Sequence, residues 1–245
     1  MKKAFSLLEL IIVSMILSII FSMGYFYLKP DYLHLGAEQI LNDIKYTRHL
    51  ALMQNDFRVK EFNIAKREWY QAKWQIYFIR SKTATNNEQT YTIFLDKNGD
   101  GNANIGKNII NKDREIAIDL INPNILMNSG QSGVISQGDS KANPKYNIEK
   151  TYGISKVTFE GSCKGSTRLV FDDYGRLYSP LKNALRSYDK LLNFNDNCII
   201  KLSNKSNKHI CIVINPLNSY AYIPQFNNNK QMININNKIL TCENL

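Results

Sequence analysis

One stretch of the chain, DKNGDGNAN, spaces oxygen-bearing side chains as a calcium-binding loop does. Carboxylates and carboxamides occupy positions 1, 3, 5 and 7 of an EF-hand-type loop, at Asp96, Asn98, Asp100 and Asn102. Gly101 stands at position 6, where such a loop turns sharply, so these oxygens could wrap around Ca²⁺. Position 12 is Lys107 instead of the bidentate Glu, which leaves the calcium pattern incomplete.

The same stretch contains Asn-Gly and Asp-Gly, the strongest short signals for a hairpin turn. It follows the strand-like YTIFLD and precedes a second apolar segment near Glu115. A turn between two strands is therefore the favoured interpretation, and a weak extracytoplasmic calcium site is the alternative. We expect no other cofactor.

Four cysteines, all in the second half of the chain, could form two disulfides if this half is exported: Cys163, Cys198, Cys211 and Cys242. Three pairings are possible. We favour Cys163–Cys198 with Cys211–Cys242, and Cys198–Cys211 is the main rival because IIKLSNKSNKHI could be a hairpin. A nucleophilic Cys211 beside His209 is a weaker alternative, and we expect no enzyme, since the chain has no metal-binding His set and no phosphate loop.

The chain carries 31 basic and 21 acidic residues, a formal charge of +10 that favours anionic partners. Three lysines lie around SNKSNKH, a predicted hairpin tip, and could contact DNA phosphates: Lys201, Lys205 and Lys208. Tyr220, Tyr222 and Phe226 could stack on the bases of a single strand. The alternative is that the lysines serve solubility and the aromatic residues belong to strands or the core.

Near its N-terminus the chain has a long apolar stretch, from Phe5 to Leu28. As a helix its 24 residues extend about 36 Å, enough to cross the ~30 Å hydrocarbon layer of a membrane. Lys2 and Lys3 precede it and predict a cytoplasmic N-terminus. Glu9 is the exception in this stretch, because a carboxylate in hydrocarbon is costly.

Lys-Lys-Ala followed by FSLLELIIVSMILSII resembles the class III signal of type IV pilins and type II secretion pseudopilins. The resemblance implies that residues 1–4 are a leader that a prepilin peptidase removes between Ala4 and Phe5. It also implies that Phe5 becomes the N-methylated terminus and that 5–28 is a transmembrane helix. The family usually has Gly before the cut, where this chain has Ala4.

Glu9 then acquires a physical role. After cleavage Phe5 carries a positive amine, and Glu9 of one subunit could neutralise the amine of its neighbour in a bundle of helices. An unpaired buried charge is strongly penalised, so this pairing would favour one axial register. The alternative is that Glu9 reaches the interface of a single-pass anchor.

After Pro30 the pattern becomes amphipathic and predicts a helix within 29–55, with Asp43 on a polar face. Strand signals follow over 56–245, the predicted periplasmic domain, interrupted by an irregular insert at about 122–150. These signals are FRVKEFNI, WQIYFIRS, YTIFLD, EIAIDLI, ISKVTFEG, TRLVFDDYG, GRLYSP, CIIKLSN, HICIVINP and SYAYIP. We predict an α+β fold in which a long N-terminal helix packs on antiparallel strands.

Within the pilin superfamily, AEQILNDIKYTRHLALMQNDFRV resembles the helix end of the GspH/FimT minor pseudopilins. YTIFLDKNGDGN and RLVFDDYGRLYSP resemble a hairpin and a later strand of the same family. The tail after Pro224 has no counterpart. The resemblance implies an inner-membrane subunit of a pilus or secretion pseudopilus, with other pilins and the prepilin peptidase/N-methyltransferase as partners. A DNA-binding minor pilin of a DNA-uptake apparatus is the alternative.

Overall fold

The computed structural model describes residues 6–27, 30–54, 70, 72–97, 99, 101–103, 115–129, 135, 138–227, 230–235 and 238–245. The strand predicted at FRVKEFNI, residues 57–64, lies outside these ranges. The chain divides into two units, Met1–Asp31 and Tyr32–Leu245.

The first unit contains helix α1, Leu7–Tyr27. Its described side chains, from 7 to 22, are nearly all apolar and are exposed. Glu9, in the first turn, is the helix's only charged residue. Among the described residues, no helix combines the length and the apolarity that a membrane crossing requires.

The second unit begins with helix α2, Tyr32–Leu52, which lies within the segment predicted to be amphipathic. Its buried face comprises Leu33, Gly36, Ala37, Ile40, Leu41, Asp43, Ile44, Thr47 and Ala51. The side chains recur at helical spacing, so one stripe packs against the strands. At Gly36 an added Cβ would lie 2.6 Å from Ile154 Cδ1, which explains why only glycine permits this close approach.

The other described elements of the second unit are strands and short helices. In chain order they are β1 Trp74–Ile79, α3 Lys82–Thr85, β2 Thr90–Leu95, a 3₁₀ helix Pro144–Tyr146, α4 Ile148–Tyr152, β3 Ile154–Gly161, β4 Arg168–Phe171, β5 Leu177–Tyr178, β6 Cys198–Asn204, β7 His209–Ile214, β8 Ala221–Tyr222, β9 Phe226–Asn227, β10 Lys230–Ile235, β11 Lys238–Thr241 and a 3₁₀ helix Cys242–Asn244. They form three antiparallel sheets, with strand orders β2-β1-β4-β5, β3-β6-β7-β8 and β11-β10-β9.

The sheet β3-β6-β7-β8 is covered on both faces at its two central strands. Alternate residues of β6 and β7, such as Ile200 and Ile212, join the main core beneath α2. The intervening residues, such as Ile199 and Val213, pack against Ile233 of β10. Burial on both faces explains why HICIVI is apolar after its first residue and why CIIKLSN begins with three consecutive apolar residues instead of alternating.

The α+β fold class is confirmed, with α2 packed on antiparallel sheets. EIAIDLI differs from its prediction, because Ile116 and Ile118 make only isolated β-bridges. The reason is Asp119, whose Oδ1 accepts hydrogen bonds from the N–H groups of Ile121 and Asn122 and turns the chain. The tail after Pro224 forms β9, β10 and β11, which the sequence patterns left unassigned.

The segment predicted as an irregular insert, 122–150, contributes buried side chains and short helices as well as exposed residues. Met127, Tyr146 and Ile148 are buried in the main core. Asn143 and Asn147 accept hydrogen bonds from backbone N–H groups and so cap the 3₁₀ helix and α4. The Asn-rich composition of this segment therefore supplies helix caps as well as turns.

Candidate functional site

The start of α1 is the first candidate site, and its geometry is a reciprocal hydrogen-bond pair. The Ser6 N–H donates to Glu9 Oε2 at 2.9 Å, and the Glu9 N–H donates to Ser6 Oγ at 3.3 Å. This arrangement is a capping box, in which two residues three apart satisfy each other's unpaired N–H groups. Ala4 and Phe5, the predicted processing residues, lie outside the described residues.

The capping box gives Glu9 a role within its own helix that the sequence analysis missed. The signal was present as S-L-L-E directly before the apolar stretch. A carboxylate in the first turn also interacts favourably with the positive end of the helix dipole. Glu9 therefore places one fixed negative charge at the N-terminal end of an otherwise uncharged helix.

The DKNGDGN stretch is a turn held by the side chains of two neighbouring strands. Asp96 Oδ2 accepts hydrogen bonds from the Gly101 N–H at 2.9 Å and from Gln75 Nε2 at 3.0 Å. Arg168 on β4 donates to the Gly101 carbonyl and, at 3.2 Å, to Gln75 Oε1. Gly99 and Gly101 both have positive φ, the backbone conformation for which the turn needs glycine.

The described residues here form the favoured turn, and the calcium site stays a prediction. Phe94 and Ile116 form an antiparallel bridge, so the residues before the stretch lie beside a later segment of the chain. Asn98 and Asp100 lie outside the described residues. Among those that are described, no group of three or more His, Cys, Asp or Glu side chains could hold a metal ion.

The three lysines predicted at one hairpin tip do not lie together. The hairpin exists, because β6 and β7 pair in antiparallel register, and the side chains of Lys205 and Lys208 are exposed in its turn. Lys205 also approaches Glu149, with 3.4 Å between Nζ and Oε1. Lys201 is instead within β6 and only 8% exposed, so its placement at the tip was wrong.

Lys201 holds the end of the described chain. Its Nζ donates hydrogen bonds to the main-chain oxygens of Glu243 and Leu245, each at 2.9 Å. Burial lowers the pKa of Lys201, although the carboxylates of Glu160 and Glu243 oppose that effect. The ammonium is therefore a structural clamp on the C-terminal 3₁₀ helix.

The predicted aromatic residues are exposed, but they lie far from the hairpin tip. Tyr220 and Tyr222 have ring centroids 6.0 Å apart and are 64% and 42% exposed, and Phe226 is 49% exposed. Tyr222 pairs with Val213 at the opposite end of β7 from Lys208. At about 3.3 Å per residue, the five steps along the strand place them roughly 17 Å apart.

The cysteines form the two favoured disulfides, so the prediction of disulfide bonds is confirmed. Cys163 is bonded to Cys198, and Cys211 is bonded to Cys242. The strand register excludes the rival pairing, because Cys198 lies opposite Ile214 while Lys201 lies opposite Cys211. Cys198 and Cys211 also belong to cores on opposite faces of the sheet. As a disulfide partner, Cys211 is not a thiol nucleophile.

A buried carboxylate on α2 was also missed, since Asp43 was assigned to a polar face. Asp43 is 5% exposed and accepts hydrogen bonds at Oδ2 from the Tyr91 hydroxyl at 2.5 Å and from Gln39 Nε2 at 3.0 Å. Burial raises the pKa of Asp43, although both hydrogen bonds oppose the rise. The fully buried ring of Tyr146 packs edge-on against Tyr91.

Comparisons of the chain with protein-family models, with curated proteins and with solved structures each found no match.

Proposed function

We propose that this chain is a minor pilin or pseudopilin subunit that a prepilin peptidase cuts between Ala4 and Phe5. The subunit would be held in the inner membrane by residues 5–28, with its disulfide-bonded domain in the periplasm. It would then enter a type IV pilus or a type II secretion-like pseudopilus. Its partners would be other pilins and the peptidase/N-methyltransferase.

The observation that carries this proposal is the single charge of α1. Glu9 is placed in the first turn of a helix that exposes apolar side chains along its described length. The capping box needs only an acceptor oxygen, which Gln would also supply, so the negative charge of Glu9 has a further role if a cation pairs with it. The amine that cleavage would create at Phe5 is such a cation. In a packed bundle of these helices, the pair would be formed only at one axial register, because slipped registers leave both charges unpaired.

The domain that follows supports the same proposal. An amphipathic α2 covers antiparallel sheets, which is the arrangement that the pilin resemblance implies. Two disulfides and no free cysteine among the described residues are typical of an oxidising compartment such as the periplasm.

The capping box makes a sharp test possible, because two roles of Glu9 can be separated. Glu9→Gln removes the charge but leaves a side chain that can cap the helix, since Gln also serves in a capping box. Ser6→Ala removes the cap and keeps the charge. Filaments would be sheared from cells expressing each variant, and the amount of subunit in the pelleted fraction would be measured.

If the charge directs assembly, Glu9→Gln abolishes incorporation while Ser6→Ala retains most of it. The mass of the processed wild-type chain should lack residues 1–4 and carry one methyl group. Normal incorporation of Glu9→Gln would refute the charge-pairing role, and an uncut chain would refute the proposed processing.

Contact with DNA is the second candidate function, because Lys205, Lys208 and three aromatic side chains are exposed. The test is a Lys205→Ala/Lys208→Ala double variant. Lys201 is left intact, since its ammonium is a structural clamp. If the chain contacts DNA through this turn, the double variant weakens binding to oligonucleotides and reduces the dependence of affinity on salt. An unchanged affinity at low salt would eliminate this site.

A further inference from the structure

A cavity of about 280 Å³ opens beside the DKNGDGN turn. Three parts of the second unit line it: the turn itself, the start of β4 and the segment after β5. The lining residues with polar groups are Gly101, Asn102, Arg168, Lys182, Asn183 and Lys190. The described residues of this lining contribute three cations and two carboxamides, and none of them is a carboxylate.

Arg168 supplies a positive charge that is already held in place. Its guanidinium carbon lies 3.9 Å from the centre of the Tyr77 ring, and the group donates hydrogen bonds to the Gly101 carbonyl and to Gln75. Stacking and hydrogen bonding fix the planar group, so binding a ligand costs little further side-chain entropy.

Lys182 packs close to the same turn. A Cβ built on Gly101 would lie 3.6 Å from Lys182 Cβ and 3.4 Å from Arg168 Nη1. The stem of the lysine and the guanidinium are therefore both close to the same glycine. Lys190 is partly exposed and adds the third cation.

Two acidic groups near these segments make hydrogen bonds to other partners. Asp96 Oδ2 accepts from the Gly101 N–H and from Gln75. Asp189 Oδ2 accepts from the N–H groups of Leu185 and Arg186. The cavity lining is therefore rich in donors and positively charged, which disfavours a cation there and favours an anion.

We propose that this cavity binds a phosphate dianion, either free or as a phosphomonoester. A dianion balances three cations better than a monoanionic carboxylate does, and its oxygens can accept from guanidinium, ammonium and carboxamide groups. At roughly 30 Å³ per water molecule, the cavity holds about nine non-hydrogen atoms. That is room for the phosphate group and the first atoms of its alcohol. The site does not depend on the filament function.

The test is calorimetric titration of the full chain in a non-ionic detergent, at constant ionic strength. The probes are inorganic phosphate, glucose 6-phosphate and dimethyl phosphate, a monoanionic diester. We expect saturable binding of the first two and at least tenfold weaker binding of the diester. Tighter binding of glucose 6-phosphate would identify the ester as the source, and equal affinities would identify free phosphate.

Three matched variants locate the site. Lys182→Gln and Lys190→Gln should each weaken phosphate binding by about three- to fivefold, as is typical of exposed charge pairs. Lys150→Gln, an exposed lysine on α4, should leave it unchanged. As a measurement that needs no variant, phosphate should protect Lys182 and Lys190 of the wild-type chain from acetylation more than Lys150.

The proposal is overturned if phosphate gives no saturable heat, if the diester binds as well as the dianions, or if Lys150→Gln weakens binding as much as Lys182→Gln. Equal protection of all three lysines would also overturn it.

Discussion

Two neighbouring tyrosines should respond in opposite directions to the same substitution, Tyr→Phe. Tyr91 and Tyr146 are both fully buried, and their ring centroids lie 5.0 Å apart. The hydroxyl of Tyr91 donates to the buried carboxylate of Asp43. The hydroxyl of Tyr146 has no hydrogen-bond partner among the described residues. Each substitution removes one oxygen and preserves the ring, so the comparison isolates the hydrogen bond.

The expected magnitudes follow from these partners. A hydrogen bond to a charged group contributes about 1.5–3 kcal/mol, and Tyr91→Phe loses it, so the free energy of unfolding should fall by that amount. A buried hydroxyl without a partner costs about 1–3 kcal/mol, so Tyr146→Phe should raise the free energy of unfolding by about 1–2 kcal/mol. In a domain of this size each kcal/mol corresponds to roughly 2–4 °C in Tm.

Urea unfolding of the two variants and the wild type at pH 7 measures both changes, with the tyrosine-to-phenylalanine substitution at exposed Tyr32 as the control. The denaturant slope should remain constant, which establishes that only stability has changed. The cost of Tyr91→Phe should shrink in acid, because a protonated Asp43 needs the phenolic donor less.

The reasoning is refuted if both variants shift stability with the same sign, or if Tyr146→Phe is destabilising. Either result would mean that the hydroxyl of Tyr146 makes a hydrogen bond worth more than its desolvation cost.

Three further predictions concern other buried groups. Burial raises the pKa of Asp43, so the folded state binds the proton of this carboxyl more tightly than the unfolded state does. The contribution of Asp43 to the free energy of unfolding is therefore complete below the ordinary pKa of an aspartate and is lost as pH rises through the raised pKa of the folded state. Asp43→Asn should therefore flatten the fall in unfolding free energy between mildly acidic and neutral pH, measured by urea titration. Replacing Cys211 and Cys242 by Ala opens a loop with a sequence separation of 31, and the chain-entropy relation gives a loss of about 3.7 kcal/mol, measurable by guanidinium unfolding. Lys201→Met should cost about 1–3 kcal/mol by removing two charged hydrogen bonds, and faster amide exchange in residues 242–245 would locate the loss.

Local patterns predicted the elements that depend on local residues. ISKVTFEG and CIIKLSN coincide with β3 and β6, because β-branched and aromatic residues are bounded there by turn signals. The favoured disulfide pairing is also confirmed, whereas the predicted hairpin had suggested the rival pairing, which only the register of β6 and β7 excludes.

Polar residues were misplaced where their partners are distant in sequence. Asp43 is buried because Tyr91, 48 residues away, donates a hydrogen bond to it. Lys201 is buried because carbonyls 42 and 44 residues further along accept from its ammonium. A charged residue in a periodic pattern is normally assigned to solvent, and only the tertiary fold reveals a partner that reverses this assignment.

The candidate sites divide along the same line. The capping box of Ser6 and Glu9 could be predicted from four consecutive residues, Ser-Leu-Leu-Glu. The cavity beside the DKNGDGN turn combines residues between 101 and 190, so no local pattern could have assembled its charges. The local sequence shows only the oxygen-bearing residues of that turn, which suggested calcium as the alternative to a hairpin.

The two-sided burial of β6 and β7 has a consequence for the order in which the chain matures. Because the N-terminal part of the chain is available first, β6 and β7 precede β10, β11 and Cys242, and the outer face with Ile199 and Val213 is uncovered for that interval. Cys163 is already present when Cys198 emerges, whereas Cys211 must wait for its partner. The antiparallel register keeps the thiol of Cys211 on the opposite face of the sheet from Cys198. The pairing of β6 with β7 thus disfavours the wrong disulfide, Cys198–Cys211, during oxidative folding. A chain shortened before residue 242 would leave the thiol of Cys211 unpaired on an exposed apolar surface.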